Sequence, residues 1–411
     1  MFPIIVSNNP KLCTFVDRLN LSLSAPQRRH VLNVADSLLV TDGSKTLAAL
    51  MRHCLKAPDV SNVADCFRIA PWEASAIRKP VATEMVQTAL AHLKTLAEPR
   101  FLLVNIDDSL AIKDPDTRHL EGVDWHYDHA ASRRKRARCQ NAMCSIGVTL
   151  VAGDHSFTFD VQPYLNKKTV RRLNRSRRGK NGLHFASKYH LTRSILEQLV
   201  PLIPKTVPVY VQCDAWYASA RLIKYVRRQT WHIICRVKAN RRLDTQPISA
   251  RDADQRHQRY CRVTTTAADG TEITYLVRSM TGRLHGVPFP VCGLVSRRHY
   301  RDTHPVYFIS RDISLSPQAA LLGYATRWNC EVDHHYLKPR LGLGDFRLHP
   351  TKPWASSAQW FTWRGPMCSC DWLTPPIAPY VPRPMSSGHI ETRTRTIGCW
   401  VLGTRQSLPA T

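Results

Sequence analysis

Apolar residues in the first hundred positions recur at intervals of three and four. Val31, Val34, Ala35, Leu38 and Leu39 make one such stripe, and residues 85–96 make another. That is the period of an amphipathic helix. Pro80 and Pro99 are expected to punctuate the helix ends. Residues 1–98 therefore read as a helical N-terminal domain, expected to bind DNA, and a plain bundle describes them better than a helix-turn-helix hidden at 60–79.

The pattern changes at residue 100. Phe101, Leu102, Leu103, Val104, Asn105 and Ile106 form a short apolar run that ends in Asp107 and Asp108. Such a run predicts a buried strand delivering carboxylates at its C-terminal end. Stretches 141–151 and 156–164 flank Gly153-Asp154 and predict a β-hairpin. A basic stretch at 167–180 reads as a loop. A helix at 186–200, a strand at 207–213 ending on Asp214, a helix at 217–228 and a strand at 231–238 follow. Four short alternating stretches near 259–264, 272–278, 291–296 and 305–310 predict a β-rich insertion at 241–312. One helix is then expected from 316 to 338, carrying Glu331 and ended by Pro339. The fold class is α/β: a mixed sheet flanked by helices, with the core at 99–350.

Residues 351–411 fit no core pattern. They hold five of the ten tryptophans, eight of the 27 prolines and two acids. They read as an irregular tail, disordered or frameshifted.

Charge narrows the function. Lys plus Arg number 58 against 31 Asp plus Glu, a net charge of +27. A basic excess of this size points to a polyanionic partner. It is also localised: residues 133–193 hold 15 Lys/Arg and two acids, a net +13. The run Arg133, Arg134, Lys135, Arg136 is a phosphate-binding candidate. Arg236 and Lys238, leaving the strand at 231–238, are weighed as DNA contacts against ordinary surface charge. No apolar stretch reaches membrane-spanning length, and no signal peptide is visible. The 13 scattered cysteines read as reduced thiols in a cytoplasmic protein.

Two carboxylates at neighbouring strand ends repel unless a cation lies between them. Mg²⁺ suits hard oxygen ligands, and a pair of such ions can activate water and stabilise the leaving oxygen of a phosphodiester. Asp108 and Asp214 are the preferred residues. Asp107, pointing to the other face of the strand, is second choice to Asp108. On a continuous helix, Tyr324-x2-Arg327-x3-Glu331-x6-Lys338 would fall within an arc of about 60°. That face offers a carboxylate to the metal and a phenol, a guanidinium and an ammonium to phosphates. His334 and His335 follow closely but out of phase, which argues against a metal role. Trp216 and Tyr217 read as core packing at the start of a helix, and Cys368 and Cys370 lack further zinc ligands.

Tyr324-Ala-Thr-Arg327-Trp-Asn-Cys-Glu331…Lys338 resembles the Y-R-E-K signature of bacterial insertion-sequence transposases of the DDE class. The blocks Ile106-Asp107-Asp108-Ser109 and Cys213-Asp214-Ala215-Trp216-Tyr217 resemble that family's first and second Asp motifs, and the likeness spans about 100–350. It implies an RNase H-like core with a β insertion and Asp108, Asp214 and Glu331 as ligands of Mg²⁺, for which Mn²⁺ substitutes. It further implies double-stranded DNA as partner: terminal inverted repeats are cut and joined to target DNA by a homodimer in a synaptic complex. The chain departs in having no Trp between 232 and 327, where relatives stack a flipped base; Tyr260, Tyr275 and Tyr300 are the substitutes available. The aberrant tail raises a competing expectation, an inactive remnant that still binds the repeats.

Overall fold

A computed structural model describes residues 4–338 and 342, apart from 70–73, 99, 119, 129–130, 133–135, 177–181, 256, 267–271 and 336. The tail at 351–411 and the basic residues Arg133, Arg134 and Lys135 lie outside the described residues.

Five helices come first: α1 (Pro10–Arg18), α2 (Ala25–Val40), α3 (Leu47–Met51), α4 (Val60–Arg68) and α5 (Ala74–Thr95). Their starts are encoded locally. Ser24 and Gln27 form a reciprocal capping box on α2, while Asn9, Thr46 and Asp59 accept from the first free amides of α1, α3 and α4. Pro80 does not end a helix, because α5 runs through it. Its ring forfeits one backbone hydrogen bond, but Ile77, Val81, Met85, Val86, Ala89 and Leu93 are all buried in the main core. Burial of that stripe outweighs the local loss.

Then follow β1 (Leu102–Ile112), β2 (Asp124–Tyr127), β3 (Cys139–Ala152), β4 (His155–Tyr164), α6 (Lys167–Ser176), α7 (Lys188–Leu199) and β5 (Val209–Cys213). The chain continues with α8 (Ala220–Arg228), β6 (His232–Val237), β7 (Arg242–Leu243), β8 (Gln246–Pro247) and α9 (Ile248–Asp254). Last come β9 (Cys261–Thr266), β10 (Glu272–Arg283), β11 (Pro290–Arg297), β12 (Val306–Ser310), α10 (Pro317–Ala325) and α11 (Trp328–His335).

One ten-stranded sheet organises these elements, in the order β2-β3-β1-β5-β6-β12-β11-β10-β9, with β4 also on β3. β1, β5 and β6 are parallel, and β3 and β4 form the antiparallel hairpin beside β1. This is the strand order of an RNase H-like core. The four strands of the β-rich insertion do not form a sheet of their own. They extend the main one, because β12 pairs antiparallel with β6.

Side chains on β1 alternate between two helical layers. Leu102, Val104 and Ile106 join the core that contains Ile195, Leu196 and Leu199 of α7 and the buried stripe of α5. Asn105 instead bonds to the α10–α11 connection. Helices α1, α2 and α5 thus share one core with the sheet, while Leu50, Met51 and Val63 of α3 and α4 form a second cluster with Val34 and Leu38 of α2.

Three local expectations are corrected. β1 does not stop at Asp108 but runs to Ile112, since its ladder with β3 continues after that with β5 ends at Ile106. The 167–180 stretch begins as a helix, α6, in which Val170 and Leu173 are buried while Lys167, Lys168, Arg171, Arg172 and Arg175 face solvent. The helix after Asp214 starts at Ala220 with Ser219 as its cap, so Trp216 and Tyr217 belong to the turn before it.

Candidate functional site

The site lies where β1 and β5 part. Their last paired residues are Ile106 and Cys213. Asp107 and Asp214 come next, side by side on diverging strands.

One rung earlier, the paired residues Asn105 and Gln212 are fully buried amides. Asn105 Nδ2 donates to the Thr326 carbonyl at 2.9 Å, and Gln212 Nε2 donates to the Gly323 carbonyl at 2.7 Å. Thr326 Oγ1 donates back to Gln212 at 3.3 Å. A buried amide left unpaired is costly, so these bonds pin the α10–α11 connection over the strand ends. Sequence reasoning missed both residues. Their signal was a polar residue inside an apolar run, two positions before a carboxylate.

The single helix expected over 316–338 is broken at Thr326-Arg327. α10 ends at Ala325, and the amides of Thr326 and Arg327 bond to the carbonyls of Gly323 and Tyr324 in a tight turn before α11. The helix is therefore not continuous, yet Arg327 still lies over the Tyr324 ring, with Cζ 5.8 Å from its centroid, and pairs with Glu331. Tyr324 packs edge-on against Phe308, with ring centroids 4.8 Å apart, in a core cluster with Ala320, and burial pushes its phenol well up. Arg327 turns inward. Its Nη1 meets Asp107 at 2.6 Å and its Nη2 meets Glu331 at 2.8 Å. Glu331 thus reaches the strand ends with Arg327 between it and Asp107.

Burial pushes the carboxyl of Asp107 up, against the pull of Arg327, and the neighbouring Asp108 adds to the rise. Asp214 is raised by burial first and then by Asp107, while its Oδ1 accepts the Trp216 and Tyr217 amides at 2.9 and 3.2 Å. Glu331 is raised by burial and by Asp107, and Arg327 opposes the shift. Asp108 points to the α7 face. Lys188 Nζ stands 2.5 Å from its Oδ2, and the Tyr217 hydroxyl donates to its Oδ1 at 2.9 Å. Tyr217 is fully buried, while the neighbouring Trp216 is half-exposed.

Three carboxylates held high by burial and mutual repulsion form a hard-oxygen donor set that a divalent cation would relieve. Their chemistry suits that group; in this structure the Arg327 guanidinium stands between Asp107 and Glu331. Of the other positions singled out, burial holds the Lys338 ammonium below its usual range. His334 is buried, which lowers its imidazole to about 4. It lies so close over β3 that a Cβ on Gly147 would stand 3.1 Å from its Nε2.

Beside Asp214 opens a cavity of about 460 Å³ lined by Tyr189, Trp216, Lys238, Arg241, Arg242 and His285. The Tyr189 and Trp216 rings stack at 4.6 Å, nearly parallel. Nε and Nη2 of Arg241 are buried without a hydrogen-bond partner. Lys238 therefore adjoins the site. Arg236 is exposed on β6, cross-strand from Phe308, and does not line the cavity. Arg136 is exposed.

An RNase H-like sheet with buried carboxylates where its central parallel strands part is the scaffold of a nuclease-type enzyme. A family model described as DDE superfamily endonuclease matches residues 17–281, more than half of the chain, and the protein belongs to that family. The matched span contains Asp107, Asp108 and Asp214 and ends before Glu331. No curated protein matches the chain. Membership makes this a DDE-type enzyme of the transposase and nuclease group, whose substrate is DNA and whose members use divalent metal ions. No helix among the described residues is long and apolar enough to cross a membrane.

Proposed function

We propose that the protein is the transposase of a bacterial insertion sequence, cutting DNA at the element's terminal inverted repeats and joining the ends to target DNA. The observation that carries this reading is the convergence of Asp107 and Asp214, neighbours at the strand ends, with Glu331 across Arg327. Asp214 and Glu331 hold Mg²⁺, or Mn²⁺ in its place, together with a carboxylate of the Asp107–Asp108 pair. Asp108 is the residue preferred from the sequence; the face shared with Glu331 favours Asp107. The metal supplies charge stabilisation and an activated oxygen nucleophile. Arg327, already between two carboxylates, positions Glu331. The Y-R-E-K likeness supports the insertion-sequence origin, with Tyr324 as a packing residue and Lys338 near the phosphates. The protein works at the nucleoid as a homodimer that pairs two element ends.

The test uses a labelled duplex carrying the element's end, taken from DNA flanking the gene, with and without Mg²⁺. Metal-dependent nicking followed by joining to a second duplex is the expected result. Nicking without joining reduces the reading to a nuclease, and binding without nicking reduces it to a repeat-binding remnant.

The exposed cations of α6 are placed to hold phosphates. Replacing Lys167, Lys168, Arg171 and Arg175 together by Ala is expected to weaken binding equally on repeat and unrelated DNA. The slope of log K against log salt should become shallower by up to about 3–4, at about 0.9 for each phosphate no longer neutralised. An unchanged slope would remove α6 from the interface.

A further inference from the structure

We infer that the protein carries a second metal site, of zinc type, formed by His92, Asp154 and His155. Among the described residues, this is the group of metal-ligating side chains whose donor atoms all lie within 4.8 Å of one another. His92 Nε2 stands 3.3 Å from Asp154 Oδ1, and His155 Nδ1 stands 2.8 Å from the same oxygen. The edge of a tetrahedron around zinc, with bonds of about 2.0–2.1 Å, is roughly 3.3–3.4 Å. The first spacing matches it, and the second needs a small opening.

The fold brings these three ligands together from two elements. His92 lies in the last turn of α5, where the helix dipole favours a cation. Asp154 and His155 come from the β3–β4 turn. That turn depends on Gly153, whose φ of +59° is a left-handed conformation. Leu96, just past α5, packs so closely under Gly153 that a Cβ there would stand 2.7 Å from its Cδ1. The turn is thereby seated on the end of α5 and aims its two ligands at His92. The two imidazole rings lie 3.9 Å apart, tilted by 52°. Each of the three side chains keeps about a quarter of its surface in solvent, 23% for His92, 24% for Asp154 and 25% for His155. Water therefore has access to complete the coordination.

This site is separate from the carboxylates at the strand ends. Asp107 pairs with Gly147 of β3, and Gly153 lies six residues further on, roughly 20 Å along the strand. The donor sets also differ. Two imidazoles and one carboxylate suit zinc and its neighbours, whereas an all-oxygen set suits magnesium. On binding, each imidazole gives a lone pair to the metal and keeps its one N–H on the other ring nitrogen, and the proton of any imidazolium passes to solvent. The bound ion would clip α5 to the β3–β4 hairpin, fastening the N-terminal helices to the sheet.

The test takes the full chain, stripped by a chelator and desalted, and measures Zn²⁺ by a competing chromophoric chelator. One zinc per chain is expected for wild type and equally for Asp214→Asn. His92→Ala and His155→Ala should bind at least about tenfold more weakly. Zinc should raise the melting temperature of wild type and leave these variants unmoved. His92→Gln keeps a donor for Asp154 but supplies no imidazole, so it too should lose zinc while melting like the metal-free wild type. Wild type binding zinc no better than His92→Ala, or zinc lost in Asp214→Asn and kept in His92→Ala, overturns the site. Neither result bears on DNA cleavage.

Discussion

Asp214→Asn is expected to remove metal-dependent DNA cleavage while leaving the protein folded. A metal ligand's share of transition-state stabilisation is several kcal/mol, and a loss of about 4 kcal/mol is roughly 10³-fold in rate. Asn retains the side-chain oxygen that accepts the Trp216 and Tyr217 amides, so the turn survives. It also removes a carboxylate that burial and Asp107 hold above its usual range. A group raised in this way weakens the fold when ionised. The neutral variant should therefore melt no lower than wild type in the absence of metal. Glu331→Gln should lose cleavage to a similar degree. Asp107→Asn and Asp108→Asn then identify the first ligand. The face shared with Glu331 makes Asp107→Asn the more damaging to cleavage. Asp108→Asn leaves Lys188 without its carboxylate partner and should show first as a lower melting temperature. If Asp108→Asn alone abolishes cleavage at an unchanged melting temperature, Asp108 is the ligand. Full activity in Asp214→Asn would sink the catalytic reading altogether.

Much of this site is legible in the amino-acid order. The runs at 101–106 and 207–213 are apolar enough to be central strands, and both end at acids, so their pairing follows from fold class. The polar gap in each run, Asn105 and Gln212, marks the place where a helix connection is pinned, but it takes the third dimension to show what an isolated amide bonds to. The helix at 316–338 is misread for a related reason. Its apolar spacing supports continuous helix, and the break is held by the tertiary bonds from Asn105 and Gln212 to Thr326 and Gly323 together with the local bond from the Thr326 hydroxyl to the Gly323 carbonyl. Around the break, Tyr324 packs against Phe308 and Arg327 reaches the carboxylates while still lying over the Tyr324 ring. α6 escapes notice because its helical signal is two apolar residues, Val170 and Leu173, among five cations. Alternation puts Asp107 on the opposite face from Asp108, but which face carries Glu331 depends on how the helices stack. A single strand does not contain that information.

The largest expected loss of stability comes from a residue far from the carboxylates. Asp252, at the end of α9, is 2% exposed and meets two guanidinium groups, those of Arg278 on β10 and Arg297 on β11. Arg278 is itself 3% exposed, and it also donates to the backbone carbonyls of Asp252 and Gln255. The Tyr260 ring lies against it, with Cζ 4.5 Å from the centroid. Tyr260, a substitute for the missing base-stacking Trp by sequence, is thus engaged in this buried cluster, and Tyr275 lies similarly under Arg298 at 4.8 Å. Replacing Asp252 by Asn removes the negative charge and leaves two cations facing each other, Arg278 sealed from water and Arg297 one-fifth exposed. Breaking a buried pair on one side costs about 3–5 kcal/mol, and Asp252→Asn should fall in that range by urea unfolding. The double variant Asp252→Leu with Arg278→Met removes the sealed ion pair and leaves only Arg297, which is one-fifth exposed and also donates to the Asp302 carbonyl; it should cost less than Asp252→Asn alone, because no fully buried cation is left unpaired. A loss under about 1 kcal/mol for Asp252→Asn would mean that the carbonyls and Tyr260 suffice to hold Arg278. The cluster would then be a polar plug between α9 and the sheet extension rather than an electrostatic one.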